Sequence, residues 1–376
     1  MLFSEIIGQE KIKSHLIQTT REGRISHAQL FCGLPGVGKL PLALAYAQYI
    51  CCTDKHDNDA CGKCPSCIKF AKLIHPDLHF AFPIVKNESK KLTVCNDFLP
   101  EFREQVLAHP YLTQEEWIES ISEGKQGQIY TNEGDEIIRK LNFKPYESEY
   151  KIMIIWEPEK MHESCANRVL KIIEEPPEKT IFLLVSDSPE EIIGTIQSRV
   201  QRINIPSIDN ACLLQHLSEY KDITSAEADF FVKNAHGSWT AVMSQIESHE
   251  TQQEYFQAFI TMMRLAWTLE FKDIKLLVDR LVTLGREGQK NFLQEAQRQL
   301  RENFILRLGQ PQLNFMNDEQ AAFAQNFSKI INEANIVPIV EEFQLAAAQI
   351  EQNANAKIVL FDTILVLNRL LKIKNI

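Results

Sequence analysis

Residues 33–40 read Gly-Leu-Pro-Gly-Val-Gly-Lys-Leu, and this short loop constrains the chain around it more than any other feature. It is the phosphate-binding pattern GxxxxGK[ST] with its last position changed. The glycines of that pattern let successive backbone N–H groups turn inward and cradle phosphates. Its Lys neutralises the β/γ charge, and its Ser or Thr hydroxyl ligates Mg²⁺. Gly33, Gly36, Gly38 and Lys39 are all present, whereas Leu40 has no oxygen for a metal and Pro41 has no N–H to give. The chain keeps the shape of a nucleotide switch and lacks some of the groups that would work it.

The hydrophobic pattern places this loop in a sheet domain. Ala28–Cys32 is predicted as a short apolar strand running into it, and Pro41–Cys51 as an apolar helix leaving it. Pro41 is tolerable there because it falls in the first turn. Further strands are expected at Lys151–Ile155, Thr180–Val185 and Arg202–Ile205, with a helix at Ser164–Glu175 stopped by Pro176-Pro177. Near-continuous apolar strands separated by helices imply a parallel sheet covered on both faces. From Asp209 onward the strand signals vanish. Residues 209–248 read as a small helical domain, and 249–376 as amphipathic helices such as Glu254–Leu269, Ile336–Ile350 and Lys357–Leu371, the last preceded by a polar break at Gln352–Ala356. Residues 86–128, with Phe98, Phe102, Tyr111 and Trp117, read as an insertion that either folds as one or two helices against the sheet or serves as a partner-binding element.

Composition narrows the setting. A formal charge of −10 argues against a protein whose main task is coating nucleic acid, which would carry a basic face. No apolar run approaches the roughly 20 residues needed to cross a membrane. The start, Met-Leu-Phe-Ser-Glu, lacks the basic and apolar regions of a signal peptide, so a cytoplasmic location is expected. In such a compartment a dense cysteine cluster reads as metal rather than disulfide. Five of the nine cysteines fall between positions 51 and 67. The best ligand set is Cys52, Cys61, Cys64 and Cys67, whose overlapping CxxC pairs can converge on a tetrahedral Zn²⁺. Cys51 is the spare or the substitute. Four thiolates leave no open position, which makes the expected site structural.

The motifs also occur in a recognisable order. Ile6-Ile7-Gly8-Gln9-Glu10, Ser26-His27-Ala28, the loop at 33–39, the four-cysteine module and His75-Pro76-Asp77 come first. Ala166-Asn167-Arg168-Val169-Leu170-Lys171, Glu174-Glu175-Pro176-Pro177 and Gln197-Ser198-Arg199 follow. Together they resemble the delta-prime subunits of bacterial DNA polymerase III clamp loaders, which are AAA+ proteins. The likeness covers residues 1–205 in motif detail and the remainder only in helical character and length. It implies an α/β AAA+ domain over 1–208 carrying a zinc module (51–67) and the insertion (86–128), a helical lid over 209–248 and an all-α collar over 249–376.

The resemblance also gives the remaining motifs their roles. An active AAA+ ATPase would end the strand at 151–155 in Asp-Glu, the Asp holding Mg²⁺ through water. Here the pair is Trp156-Glu157, and Trp156 cannot hold a metal. With Leu40 and Trp156 together, nothing anchors Mg²⁺ across the β- and γ-phosphates, and the transition-state charge goes unneutralised. At the first sensor position stand Ser186-Asp187, and an Asp there would repel γ-phosphate. ATP/Mg²⁺ binding is therefore doubtful and hydrolysis is not expected. Lys39 has two readings, residual phosphate binding or a bridge to a loop acid. Ser198-Arg199-Val200 stands where the family has Ser-Arg-Cys, which implies that Arg199 reaches the γ-phosphate bound by a neighbouring subunit, with Ser198 as supporting motif. Such an arginine finger is worth roughly 10³–10⁵ in rate. The plainer alternative is a surface Arg paired with a local acid.

Two functions follow from the resemblance. One is a non-catalytic clamp-loader subunit of the DNA polymerase III holoenzyme, with gamma/tau motor subunits, the delta subunit and the sliding clamp as partners and primed DNA met through the assembly. The other is an active ATPase subunit of gamma/tau type, against which Leu40, Pro41 and Trp156 discriminate.

Overall fold

The computed structural model describes residues 1–87, 92–122, 125–220, 223–309, 316 and 318–373. It divides into two compact units, Met1–Gln245 and Ile246–Ile376.

The first unit is built on five parallel strands: β1 (Ala28–Cys32), β2 (Leu78–Ala81), β3 (Lys151–Trp156), β4 (Thr180–Ser186) and β5 (Gln201–Asn204). They lie in the order β2-β3-β4-β1-β5. Leu30 stands opposite Leu184 on one side and Arg202 on the other, while Ile154 stands between Phe80 and Leu183. Every residue of β1, β3 and β4 is buried, which is why these strands read as unbroken apolar runs. The edge strand β5 exposes Gln201 and Arg202. Helices α1 (Glu10–Arg21), α2 (Lys39–Cys51), α3 (Pro65–Phe70), α4 (Leu99–Ala108), α5 (Gln114–Ile121), α6 (Thr131–Leu141), α7 (Glu163–Glu174), α8 (Gly194–Gln197), α9 (Asn210–Tyr220) and α10 (Ser225–Asn234) complete the described part of this unit, with the start of α11 (Trp239–Thr268).

Two details depart from the sequence expectation. β2 was not foreseen, because its four residues, Leu-His-Phe-Ala, are interrupted by His79 and too short to show a period. The helix expected from Glu254 begins instead at Trp239 and runs through the expected 248/249 boundary. No Pro or Gly lies inside it to stop it.

The insertion folds as α4 and α5 on the sheet; its residues 88–91 and 123–124 lie outside the described residues. Phe102 of α4 stacks on Phe82 with ring centroids 4.0 Å apart, and Trp117 of α5 meets both rings edge-on. Trp117 Nε1 donates to the Pro83 carbonyl at 2.7 Å, so its one polar atom is satisfied on burial.

Two buried charges fix the connection that feeds β3. Asp77 accepts hydrogen bonds from the amides of Tyr146, Glu147 and Ser148 at 2.5, 2.8 and 2.8 Å. Burial alone would raise its carboxyl, yet these bonds outweigh that and hold it below the usual range. Lys151 Nζ donates to the carbonyls of Leu141 and Phe143.

Among its described residues the second unit has helices and no strand: the rest of α11, then α12 (Phe271–Val282), α13 (Gly285–Arg307), α14 (Asp318–Phe327), α15 (Ile336–Glu351) and α16 (Ala356–Leu370). Its core includes Phe259, Met262, Leu300, Phe343 and Leu367, all fully buried. The polar break before α16 works as a cap, with Asn355 Oδ1 accepting from the Lys357 amide at 3.0 Å.

Candidate functional site

The phosphate-type loop joins β1 to α2 at the C-terminal end of the sheet, where open α/β sheets bind ligands. Gly36 and Gly38 adopt φ of +76° and +91°, a region costly for residues with a Cβ. Gly33 is required for a different reason: a Cβ there would lie 2.4 Å from the Ile205 carbonyl oxygen. Gly36 is covered from outside by the segment Ser238–Thr240. Its carbonyl accepts from the Trp239 amide at 3.0 Å, and a Cβ on it would meet Thr240 Oγ1 at 2.2 Å.

Lys39 is buried and its ammonium is engaged within the chain. It forms an ion pair with Asp187 and donates to the carbonyls of Gly33 and Leu34 at 2.7 and 2.6 Å. Of the two readings of Lys39, the bridge to a loop acid is the arrangement observed. Leu40 and Pro41 are buried in the first turn of α2. Trp156, where a metal-holding Asp would stand, is 3% exposed and packs on Phe102 with ring centroids 5.7 Å apart.

Glu157 follows at φ +55°. Burial first, then the negative charges of Asp187 and Glu159, push its carboxyl up to about 10. A carboxyl shifted that far favours its protonated form at neutral pH. Glu159 in turn accepts from the amides of Asp187 and Ser188 at 3.0 and 2.9 Å, which fixes the loop after β4 over the Lys39 ammonium.

These groups surround very little space. Gly36, Gly38, Lys39, Trp156 and Asp187 line a cavity of about 20 Å³. That is room for about one water, far below the roughly 300 Å³ of the smallest usual ligand pockets. Leu40, Pro41 and Val185 complete its floor, and Pro110–Thr113, from the turn between α4 and α5, forms the remaining wall. Residue pattern gave no hint of that turn's position, because the insertion carries no motif. Glu159 was likewise missed; it lies outside every motif and acts through backbone amides.

Arg199 lies between α8 and β5, outside the lining of this cavity. Its Nε donates to Glu174 Oε2 at 2.9 Å, and its Nη1 to the Thr195 carbonyl at 2.9 Å and to Ser198 Oγ at 3.4 Å. The side chain is 32% exposed. Arg199 thus has the local acid partner that the plainer reading called for, and remains accessible at the surface.

The four predicted ligands do converge. The Sγ atoms of Cys52, Cys61, Cys64 and Cys67 all lie within 4.8 Å of one another. Cys61 and Cys67 are 3.9 Å apart at sulfur, against about 3.8 Å for two corners of a tetrahedron with Zn–S near 2.3 Å. Backbone amides point at the sulfurs: Lys63 and Cys64 donate to Cys61 at 3.4 and 3.2 Å, Cys67 to Cys64 at 3.4 Å, and Cys61 to Cys52 at 3.4 Å. Such donors favour thiolates, and the donor set fits one metal ion. Cys51 stands apart on α2, with its sulfur 3.7 Å from the Tyr150 carbonyl, and burial pushes its thiol up to about 12.

The chain is similar to known proteins. The family described as DNA polymerase III, delta subunit, matches residues 8–209. Among curated relatives, the tau/gamma subunit of DNA polymerase III from Haemophilus influenzae is 24% identical over 57% of this chain and 25% of its own length. The delta-prime subunit from Bacillus subtilis is 28% identical over 56% of this chain and 51% of its own. A gamma subunit-related protein of Thermotoga maritima superposes over 95% of this chain and 99% of its own, at 13% identity and a TM-score of 0.38. The chain thus spans about a quarter to a half of the length of these curated relatives. Among the described residues no helix is long and apolar enough to cross a membrane. The match over 8–209, which takes in the phosphate-type loop, the cysteine module and Arg199, shows that the chain belongs to the DNA polymerase III delta subunit family.

Proposed function

We propose that this chain is a non-hydrolysing subunit of a cytoplasmic clamp loader, one that supplies Arg199 to ATP held by a neighbouring gamma/tau-type motor subunit. The delta subunit and the sliding clamp are its further partners, and primed DNA is met through the assembly. The observation that carries this reading is the state of Lys39. Its ammonium is neutralised by Asp187 inside the fold, while positions 40 and 156 present carbon and an indole where Mg²⁺ needs oxygen. Relatives of tau/gamma type match the chain as well, and Leu40 and Trp156 speak against that activity here. The organisation proposed with it is a P-loop domain over 1–208, a lid over 209–248 and a collar over 249–376. The four-cysteine cluster fits a structural Zn²⁺, held by Cys52, Cys61, Cys64 and Cys67, that would cross-link the loop after α2 to α3.

An ATP titration and turnover assay on the isolated chain, with and without Mg²⁺, tests the proposal. No turnover is expected, and Mg²⁺ should add nothing to any affinity for ATP. Sustained hydrolysis that survives repurification would overturn it.

A further inference from the structure

We propose that the turn Pro110–Thr113 is a built-in occupant of the phosphate-loop pocket, a plug supplied by the insertion, with Tyr111 as its central side chain. The inference rests on reading residues 33–39 as a nucleotide loop and goes further: the pocket is filled, not merely short of metal ligands.

The contacts of Tyr111 carry the argument. Its ring lies against the loop so closely that a Cβ on Gly38 would stand 3.2 Å from Cε1. Its hydroxyl accepts the Ile7 amide at 2.9 Å. Tyr111 thereby ties the segment before α1 to the loop before α2, spanning the space that a ligand of the loop would enter. What remains of that space is about 20 Å³.

The plug is also anchored on both sides. Before the turn, Phe102 of α4 is wedged between Phe82, Trp117 and Trp156. After it, Thr113 caps α5: its Oγ1 accepts from the Glu116 amide at 3.2 Å, and Glu116 returns the bond to the Thr113 amide at 2.7 Å. Leu112 is buried. Both ends of the turn are thus held by helices packed into this aromatic cluster, so displacing the turn means shifting α4 or α5. Trp156 then acts twice, removing a metal anchor and holding the helix that leads into the plug.

The test is a Mg²⁺-free titration of the full-length protein with a fluorescent ADP analogue. Four proteins are compared: unchanged, Asp187→Ala, Tyr111→Gly, and the double variant. Asp187→Ala removes the charge paired with the Lys39 ammonium and leaves the plug, so it should bind no better than the unchanged protein. The double variant should bind at least about tenfold more tightly than Asp187→Ala. Equal affinity of these two, or nucleotide binding by the unchanged protein, would overturn the plug while leaving the non-hydrolysing role standing, since that role fails only on turnover. Tyr111→Phe gives a second readout that does not depend on Tyr111→Gly folding well. It keeps the ring and loses the acceptor, so hydrogen exchange at the Ile7 amide should quicken by about tenfold. Unchanged exchange at Ile7 would overturn the contact.

Discussion

Lys39 and Asp187 form an ion pair between the phosphate-type loop and the loop after β4, and the Lys39 side chain is only 4% exposed. A lysine whose task is to meet phosphate must be free to do so. Here Asp187 occupies the place of the anion, and the Gly33 and Leu34 carbonyls take two further donor sites. The pair sits beside Glu157, whose carboxyl is pushed up by burial and by the charges of Asp187 and Glu159.

Lys39→Ala should therefore be a stability mutation before it is a binding one. It leaves Asp187 near Glu159 without a counter-charge and strips two carbonyls of their donor. The expected loss is about 3 kcal/mol, read as a lower urea midpoint with an unchanged slope. A lysine kept free for phosphate would cost under about 0.5 kcal/mol to remove, and a loss that small would contradict the pairing.

Glu157 sets a pH dependence with a definite sign. Its carboxyl ionises near 4.5 when unfolded and near about 10 in the folded chain. The folded state therefore holds the extra proton across that window, and its stability falls as pH rises through it. Glu157→Gln is neutral throughout. It should match the unchanged protein near pH 4 and exceed it by more than about 1 kcal/mol at pH 8. Denaturation midpoints of the two proteins that run parallel from pH 5 to 8 would rule out a buried, protonated Glu157.

What the sequence revealed and what it concealed divide along physical lines. β1, β3 and β4 are buried on both faces and announce themselves as apolar runs. The four-cysteine cluster is legible because three of its members fall within one short turn-rich stretch, where spacing nearly dictates geometry. Asp187 was suspect as a charge in the wrong place, and the structure supplies its partner. Tyr111 could not be read at all. Its partners, Ile7 and Gly38, lie far away in the chain, and an insertion without periodicity gives no register for bringing them together. Asp77 is similar: the motif His75-Pro76-Asp77 was visible, yet its work of holding the 146–148 amides appears only in three dimensions.

The cysteine cluster predicts one equivalent of zinc in purified protein. Serine at Cys61, Cys64 or Cys67 should lower both metal content and the melting temperature, because a structural site contributes folding free energy directly. Cys51→Ser is the internal control. It lies outside the cluster and should keep the metal. Well under one equivalent of zinc in reduced protein, or loss of metal with Cys51→Ser alone, would count against the assignment.

Arg199 offers the sharpest test of the proposed role, since its pairing with Glu174 could be an end in itself. Both side chains are partly exposed, and such surface pairs are worth about 0–1 kcal/mol. Arg199→Ala should leave the chain folded, metal-loaded and able to enter a reconstituted clamp loader. If Arg199 serves a neighbour's ATP, that assembly should hydrolyse ATP far more slowly, by as much as roughly 10³-fold. Arg199→Lys should rescue poorly, because a point charge cannot reproduce the planar guanidinium fork on phosphate oxygens. Glu174→Gln removes the same ion pair and spares the guanidinium, so hydrolysis should stay near the unchanged rate. The contrast between these two variants is what separates the readings. Equal and small effects of Arg199→Ala and Glu174→Gln would make the pair a local surface contact, and the trans-acting role would be wrong.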